Sequence, residues 1–270
     1  VGGEVVEVVD QHRPGQPGAE AQGERPEDDG PQRAIHPGQG TRARARAPAG
    51  AAYNRPVDAP RPLVPAPLAR GANGAVVAPH HLATAAGLGI LRAGGSAVDA
   101  AIATNAVLGV VFGEACGLGG DAFWLAWDEA AGSQVALNGS GRSAAAADAA
   151  ALRARGMATL PFRGPLTITV PGAVRSWGDA HGRFGRLAWG DLLAPAIDLA
   201  ADGFPADEAF VRAVEGSAED FASTLGAGAR GWSAVYRPHG RPWRPGERVR
   251  LPALAAPRER LSTSGPADFY

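Results

Sequence analysis

The sequence predicts an α+β fold, because it combines helical apolar patterns with one clear strand pair. Residues 97–111 are apolar on almost every side, which is typical of a buried helix. Two extended patterns, 122–128 and 133–142, are separated by the glycine-containing loop 129–132, and this spacing predicts a β-hairpin. A second apolar stripe recurs at helical spacing through residues 189–199. Long helices with an antiparallel strand pair place the chain in the α+β class.

The first helical pair follows from local signals. A short strand at 74–78 leads into a helix at 82–93, and a Gly-Gly pair then separates this helix from the buried one. Ser96 stands at the N-cap position, where its hydroxyl can accept from free amides of the first turn. Asp99 lies in that first turn and complements the helix dipole.

The chain after the hairpin predicts four further elements and one long loop. They are a helix at 147–155, a short strand at 166–174 that ends at Pro171 and Gly172, a helix at 173–181, a helix at 205–221, and a loop with short extended pieces at 232–255. Pro195 interrupts the stripe of residues 189–199, so that helix is expected to kink or start afresh there. Gly203 is its expected C-cap.

Residues 1–60 are dense in Gly, Pro, Arg, Glu and Gln, and few apolar residues follow Val9. Such a composition cannot bury enough surface to offset the entropy lost on ordering, so this segment is expected to be a disordered extension of a folded segment 61–270. The arginines of 41–50 are interpreted as solvated chain rather than as a nucleic-acid site.

Charge and cysteine content exclude some classes of function. The 270 residues carry a formal net charge of −1, which gives no reason to expect nucleic acid or an anionic membrane as a partner. Cys116 is the only cysteine, and a small half-buried side chain is favoured over a nucleophile. Without a visible membrane span or signal peptide, a cytoplasmic location is expected, and a periplasmic or secreted one stays open because the start site is uncertain.

Three motifs contain residue types that are also found in cofactor or metal sites. The glycine pattern of 87–92 fails as a dinucleotide loop, since Arg92 takes the place of the third glycine, and a nucleotide-binding module is disfavoured. His80 and His81 have no carboxylate or cysteine at ligand spacing and are expected on the surface at a helix start. Glycines 117–120 fit either a tight turn or close backbone approach to a ligand. No cofactor and no metal are predicted.

Four stretches together resemble one family. GGSAVDAAIATNAVLGVV, CGLGGDAFWLAW, FGRLAWGDLLAPAIDLAADGF and RERLSTSGPADFY occur in the order and at the spacing of the γ-glutamyltranspeptidases, which are also called glutathione hydrolases. The resemblance covers 61–270. It implies the four-layer αββα fold of N-terminal-nucleophile hydrolases, of which this segment supplies the helices and part of the sheets.

The resemblance also implies a role for Arg142. In the family, a strand of this kind leads into an Arg-Glu-x-Ala-Pro segment whose arginine grips the α-carboxylate of the γ-glutamyl substrate, and Arg142 is the matching residue. Arginine suits this role because its planar fork can bind a carboxylate through two parallel hydrogen bonds. Ser143 and Ala145 depart from the pattern, and a surface arginine at a strand end is the alternative.

Family members cut themselves before a threonine, and this new N-terminal threonine attacks the γ-glutamyl carbonyl. No catalytic residue is predicted in this chain. The hydroxyl residues are not in a motif that would activate them: Thr167, Thr169, Ser262, Thr263 and Ser264. The resemblance thus predicts part of the large subunit of a γ-glutamyltransferase or glutathione hydrolase, inactive alone, with a C-terminal small subunit and a glutathione-like substrate as partners. The alternatives are a related glutaryl (cephalosporin) acylase and a non-catalytic binding homologue.

Overall fold

A computed structural model describes residues 7–9, 70–161, 164–224 and 228–270. In these residues the strands pair in three antiparallel two-stranded sheets, β1–β2, β3–β4 and β5–β6. The strands are β1 (Glu7–Val9), β2 (Ala75–Val77), β3 (Ala122–Asp128), β4 (Ser133–Gly139), β5 (Phe204–Pro205) and β6 (Arg248–Val249). The helices are α1 (His81–Arg92), α2 (Ala97–Val111), α3 (Ala149–Ala154), α4 (Ala173–Phe184), α5 (Trp189–Asp202), α6 (Glu208–Thr224), α7 (Gly228–Tyr236) and α8 (Pro252–Ser264).

β1 is the described part of the N-terminal segment. It pairs antiparallel with β2, and Val8 stands opposite Val76. The rest of 1–60, with the arginines of 41–50, lies outside the described residues. The disordered extension and its boundary therefore stay predictions.

α2 is the centre of the core, and its bounds confirm the predicted helix. The Asp99 amide donates to Ser96 Oγ at 3.0 Å, and the Ser96 amide donates to Asp99 Oδ2 at 2.9 Å, which completes a capping box. α1, α4 and α5 pack against this helix. Its buried apolar side chains include Val98, Ile102, Val107, Leu108, Val110 and Val111.

Asp99 also fixes the link between α4 and α5. Its side chain is fully buried, and Oδ2 accepts from the amides of Arg186 at 2.8 Å and Leu187 at 3.2 Å. His181 lies beside it, with Nε2 at 3.8 Å from Asp99 Oδ1 and at 3.0 Å from the Leu187 carbonyl oxygen. One carboxylate thus joins the start of α2 to a loop distant in sequence.

The hairpin β3–β4 has the predicted bounds for its first strand and leaves one face open. The register pairs Ala122 with Gly139 at one end and Asp128 with Ser133 at the other. On the inner face, Trp124 Nε1 donates to Ser176 Oγ of α4 at 3.0 Å. On the outer face, Phe123, Leu125 and Trp127 are 70%, 71% and 64% exposed. Three large apolar side chains of one strand therefore face outward.

The strand predicted at 166–174 is wrong. Pro165–Thr167 forms one 3-10 turn, Ile168 is extended, and no strand forms in residues 168–172. The Val170 amide donates to the Arg142 carbonyl at 2.8 Å, but no paired strand in the described residues continues this contact. Ile168 and Val170 are exposed. An apolar run without a neighbouring strand does not form a sheet.

Other predicted elements need smaller corrections. α4 continues beyond Gly182, because Phe184 packs against the core and the Gly185 amide caps the helix on the His181 carbonyl at 2.7 Å. α5 runs through Pro195 as one helix and ends at Asp202, and Gly203 is its C-cap as expected. The predicted loop 232–255 begins within α7.

α7 was missed because its sequence carries few helix signals. The ring of Trp232 packs against Phe221 of α6 at 5.3 Å and against Tyr236 one turn later at 5.7 Å. This aromatic contact, rather than local propensity, favours the helix.

His80 is not on the surface as predicted. It is 5% exposed and caps α1, with Nδ1 accepting from the Leu82 amide at 3.1 Å. Its Nε2 lies 3.5 Å from Asp207 Oδ2, and its ring stacks on His81 at 4.6 Å. A cap that accepts through Nδ1 requires the neutral ring with its proton on Nε2, because a protonated Nδ1 would oppose the Leu82 N–H.

Because of His80, the free energy of unfolding is expected to decrease as the pH is lowered. Burial, and then the charge of His81, lower the pKa of His80 from 6.5, while Asp207 raises it by less. Below about pH 6.5 the unfolded chain therefore binds a proton that the folded chain resists, and the free energy of unfolding decreases. Chemical unfolding at about pH 7.5 and about pH 5 measures the loss.

The control for this prediction is His80→Asn, which keeps a side-chain oxygen at the N-cap and does not titrate. The variant should lose less stability than the wild type between the two pH values. Equal losses in both proteins would contradict a role for His80.

Candidate functional site

Three loops meet where β3 begins and β4 ends. The register places Ala122 beside Gly139, so the loop before β3 and the loop after β4 emerge together. The loop before α4 joins them, because the amides of Gly172 and Ala173 both donate to the Gly120 carbonyl, at 3.1 and 3.0 Å. Residues 117–121, 140–142 and 168–172 therefore share one corner of the fold.

The backbone is held both before and after Arg142 in this corner. On one side, the Gly141 amide donates to Asp121 Oδ1 at 2.8 Å. On the other, the Arg142 carbonyl accepts from the Val170 amide at 2.8 Å. Thr169 Oγ1 lies 3.5 Å from the same Asp121 oxygen. The backbone that carries Arg142 is thus fixed by two loops far from it in sequence.

Close backbone packing also restricts Gly141. A Cβ built at this position would lie 1.9 Å from the Val170 carbonyl oxygen and 2.7 Å from Thr169 Oγ1. No side chain fits there unless the loop before α4 moves. The contact between the two loops therefore requires glycine immediately before Arg142.

The Arg142 side chain is exposed at this corner. It follows β4 by three residues, rather than ending the strand as the sequence suggested. An exposed guanidinium on a fixed backbone can present two parallel N–H donors to a carboxylate. The arrangement is compatible with the predicted carboxylate-binding role, which stays a prediction.

The candidate hydroxyls do not meet a general base in the described residues. Thr167 Oγ1 donates to the Gly164 carbonyl at 2.8 Å, and Ser262 Oγ and Thr263 Oγ1 donate to the Glu259 carbonyl at 2.8 and 3.2 Å. The 3.5 Å between Thr169 and Asp121 is too long to activate a hydroxyl. Ser264 ends α8 and is exposed.

The remaining candidate residues, Cys116 and His80, are occupied in packing and helix capping. Cys116 is half-buried against the core, as predicted for a small packing residue. His80 is engaged as a helix cap, and the described residues contain no group of three potential metal ligands. Across the same residues, we find no helix with the length and apolar character that a membrane crossing needs.

Two residues that contact this corner, Asp121 and Tyr270, were missed in the sequence. Asp121 stands at a glycine of the family pattern Gly-x-Gly-Gly-Gly-x-Phe, and this departure was the available signal. Tyr270 was the second: it closes the stretch RERLSTSGPADFY that carries the resemblance, but nothing in that stretch indicates its contact with the loop before α4. Its hydroxyl donates to the Pro171 carbonyl at 2.7 Å and accepts from the Arg175 amide at 3.0 Å, so it supports the start of α4.

A known family matches most of the described residues. The family profile described as Gamma-glutamyltranspeptidase matches residues 83–270, which include the corner and all helices from α2 to α8. The chain belongs to the γ-glutamyltranspeptidase family. This match confirms the resemblance.

Two curated proteins are similar to this chain. The chain is 38% identical over 196 residues to the glutathione hydrolase-like YwrD proenzyme of Bacillus subtilis, covering 72% of this chain and 36% of the relative. It is 38% identical over 205 residues to the oxamate amidohydrolase proenzyme of Klebsiella pneumoniae, covering 73% and 37%. The chain therefore spans about a third of the length of these relatives.

Solved structures agree on the fold. The γ-glutamyltranspeptidase of Pseudomonas nitroreducens, complexed with L-DON, is 30% identical with a TM-score of 0.60, over 74% of this chain and 58% of that one. The cephalosporin acylase of Bacillus halodurans is 35% identical with a TM-score of 0.65, over 70% and 35%. The chain has the αββα N-terminal-nucleophile hydrolase fold, of which the described residues contribute helices and a few strands.

Proposed function

We propose that this chain is the large-subunit part of an enzyme that transfers or hydrolyses γ-glutamyl groups, with glutathione-like amides as substrates. The observation that carries the proposal is Arg142, an exposed guanidinium whose neighbouring backbone is held by Asp121 at the Gly141 amide and by the Val170 amide at the Arg142 carbonyl. The kinship with glutathione hydrolases supports this substrate class. Arg142 would bind the α-carboxylate and so hold the γ-carbonyl at the reacting position.

The chemistry would be completed by residues that these 270 do not supply. In the family mechanism, the hydroxyl of an N-terminal threonine attacks the γ-carbonyl while its own α-amino group accepts the proton. The amine leaves with a proton, and water or a second amine then releases the γ-glutamyl group from the threonine. We therefore assign substrate binding, and no catalytic step, to this chain.

The test is Arg142→Ala in the protein expressed from its complete reading frame. The variant loses two charged hydrogen bonds to the substrate, so KM for γ-glutamyl-p-nitroanilide should rise roughly 30-fold while kcat changes little. Arg153→Ala, which removes an exposed arginine of α3, is the matched control and should keep the wild-type KM. An unchanged KM in Arg142→Ala would remove the assignment.

A glutaryl acylase is the second candidate, and the similarity to the Bacillus halodurans cephalosporin acylase favours it. A glutaryl group keeps the carboxylate that Arg142 would bind and lacks only the α-amino group. Comparing kcat/KM for γ-glutamyl and glutaryl anilides separates the two. A processed protein that cleaves neither would instead indicate a non-catalytic binding homologue.

We propose that the outer face of β3 is covered by the C-terminal small subunit. Phe123, Leu125 and Trp127 would otherwise leave a contiguous apolar surface in water. Leu125→Asp should therefore separate the two processed chains on gel filtration, because a carboxylate would be buried without a partner. Ala150→Asp places the same charge on the exposed surface of α3 and should leave the chains together.

A further inference from the structure

Asp121 holds the backbone of the corner but does not contact the substrate in the proposed function. It precedes β3 and is exposed, yet its carboxylate is directed at another loop rather than at solvent alone. Oδ1 accepts the Gly141 amide at 2.8 Å, within the range of a good hydrogen bond to a charged acceptor. Thr169 Oγ1 approaches the same oxygen from the loop before α4.

The Asp121 contact holds the Ser140–Gly141 peptide, which lies one peptide unit before the Gly141–Arg142 peptide. With Gly141 N–H held by Asp121 and Arg142 C=O held by Val170 N–H, both flanks of the residue are fixed. Removing the first contact frees the Ser140–Gly141 peptide, so the backbone that leads into Arg142 loses one support, while the second contact still tethers the peptide after Arg142. The guanidinium would then sample positions around one fixed point rather than one geometry.

We propose that Asp121 is a positioning residue for carboxylate recognition by Arg142, an inference that rests on the proposed function. Two parallel hydrogen bonds to a carboxylate tolerate little displacement, and an error of about 1 Å can cost two orders of magnitude in rate. Asp121 acts through its oxygen acceptor and not through contact with the substrate. Its loss therefore weakens the recognition of the carboxylate and leaves the rest of the substrate's binding intact.

The experiment compares two anilides that differ only in that carboxylate. γ-Glutamyl-p-nitroanilide has it, and γ-aminobutyryl-p-nitroanilide has the same chain length and amino group without it. The quantity measured is the ratio of the two kcat/KM values in the processed protein. Asp121→Ala should reduce this ratio about tenfold, mainly through KM of the γ-glutamyl substrate. A merely structural defect would lower both kcat/KM values together and leave the ratio unchanged.

Two further variants separate the hydrogen bond from other effects. Asp121→Asn retains an oxygen that can accept from Gly141 and should keep the ratio within about threefold of wild type. Asp128→Ala removes a carboxylate from the other end of β3, where it binds Arg183 at 3.2 Å and the Ala131 amide. This control should not change the ratio.

The outcomes separate this inference from the proposed function. If Arg142→Ala lowers the ratio and Asp121→Ala does not, Asp121 has no positioning role and the function stands. If Asp121→Ala slows both substrates equally, its role is structural and the inference is wrong. If Arg142→Ala leaves the ratio unchanged, or the wild type cleaves none of the anilides, the assignment of Arg142 fails and the inference fails with it.

Discussion

Asp99→Ala is expected to destabilise the protein by about 4 kcal/mol, the largest loss that we predict for one side chain. The substitution leaves three backbone amides without this acceptor, the buried amide of Ser96 and the partly buried amides of Arg186 and Leu187. It also removes the negative charge from the first turn of α2. The N-cap of α2 and the loop before α5 share this carboxylate, so the substitution weakens both at once.

The measurement is urea unfolding of the protein expressed from its complete reading frame, followed by circular dichroism. Asp191→Ala is the matched control, because Asp191 is also acidic and in the first turn of its helix, but is exposed. Its free energy of unfolding should decrease by at most about 1 kcal/mol. A similar small loss for Asp99→Ala would mean that the three amides find other partners.

Features with local signals were predictable from the sequence. Ser96 and Asp99 mark the start of α2, and the structure forms the capping box that these two residue types allow. The alternation of 122–128 likewise gave the bounds of β3. Here each residue's preference and its tertiary contacts agree, which is why pattern alone was sufficient.

Features that depend on distant partners were not predictable. His80 is buried because Asp207 approaches it from the start of α6, and no pattern around His80 announces that contact. The run at 166–174 has the apolar character of a strand but no paired strand in the described residues. Apolar character can be read from a sequence, whereas the neighbour that decides between strand and loop cannot.

In the candidate site, too, one residue was predictable from the sequence and another was not. Arg142 could be proposed because the resemblance gave its position in the order of motifs. Asp121 could not, since the acceptor role exists only once the loops before β3 and after β4 are side by side. The substitution of a family glycine by aspartate was visible, but its consequence required the fold.

Gly172→Ala is expected to destabilise the protein by about 3 kcal/mol and to disorder the corner that carries Arg142. A Cβ at this position would lie 2.2 Å from the Gly139 carbonyl oxygen and 2.8 Å from the Ser140 carbonyl carbon. Both neighbours are backbone atoms, so neither can rotate away. Relief requires the start of α4 to move from β4, which would break the bonds of Gly172 and Ala173 to the Gly120 carbonyl.

The matched control is Gly182→Ala, a glycine inside α4 with open space around its Cβ position. Alanine loses less entropy than glycine on folding into a helix, so this variant should be about 0.5–1 kcal/mol more stable than wild type. Opposite signs for the same substitution at the N-cap of α4 and inside α4 would attribute the loss at Gly172 to the contact with β4. If Gly172→Ala instead unfolds at the wild-type urea concentration, the loop before α4 is free to move, and the clamp on Arg142 is weaker than the distances imply.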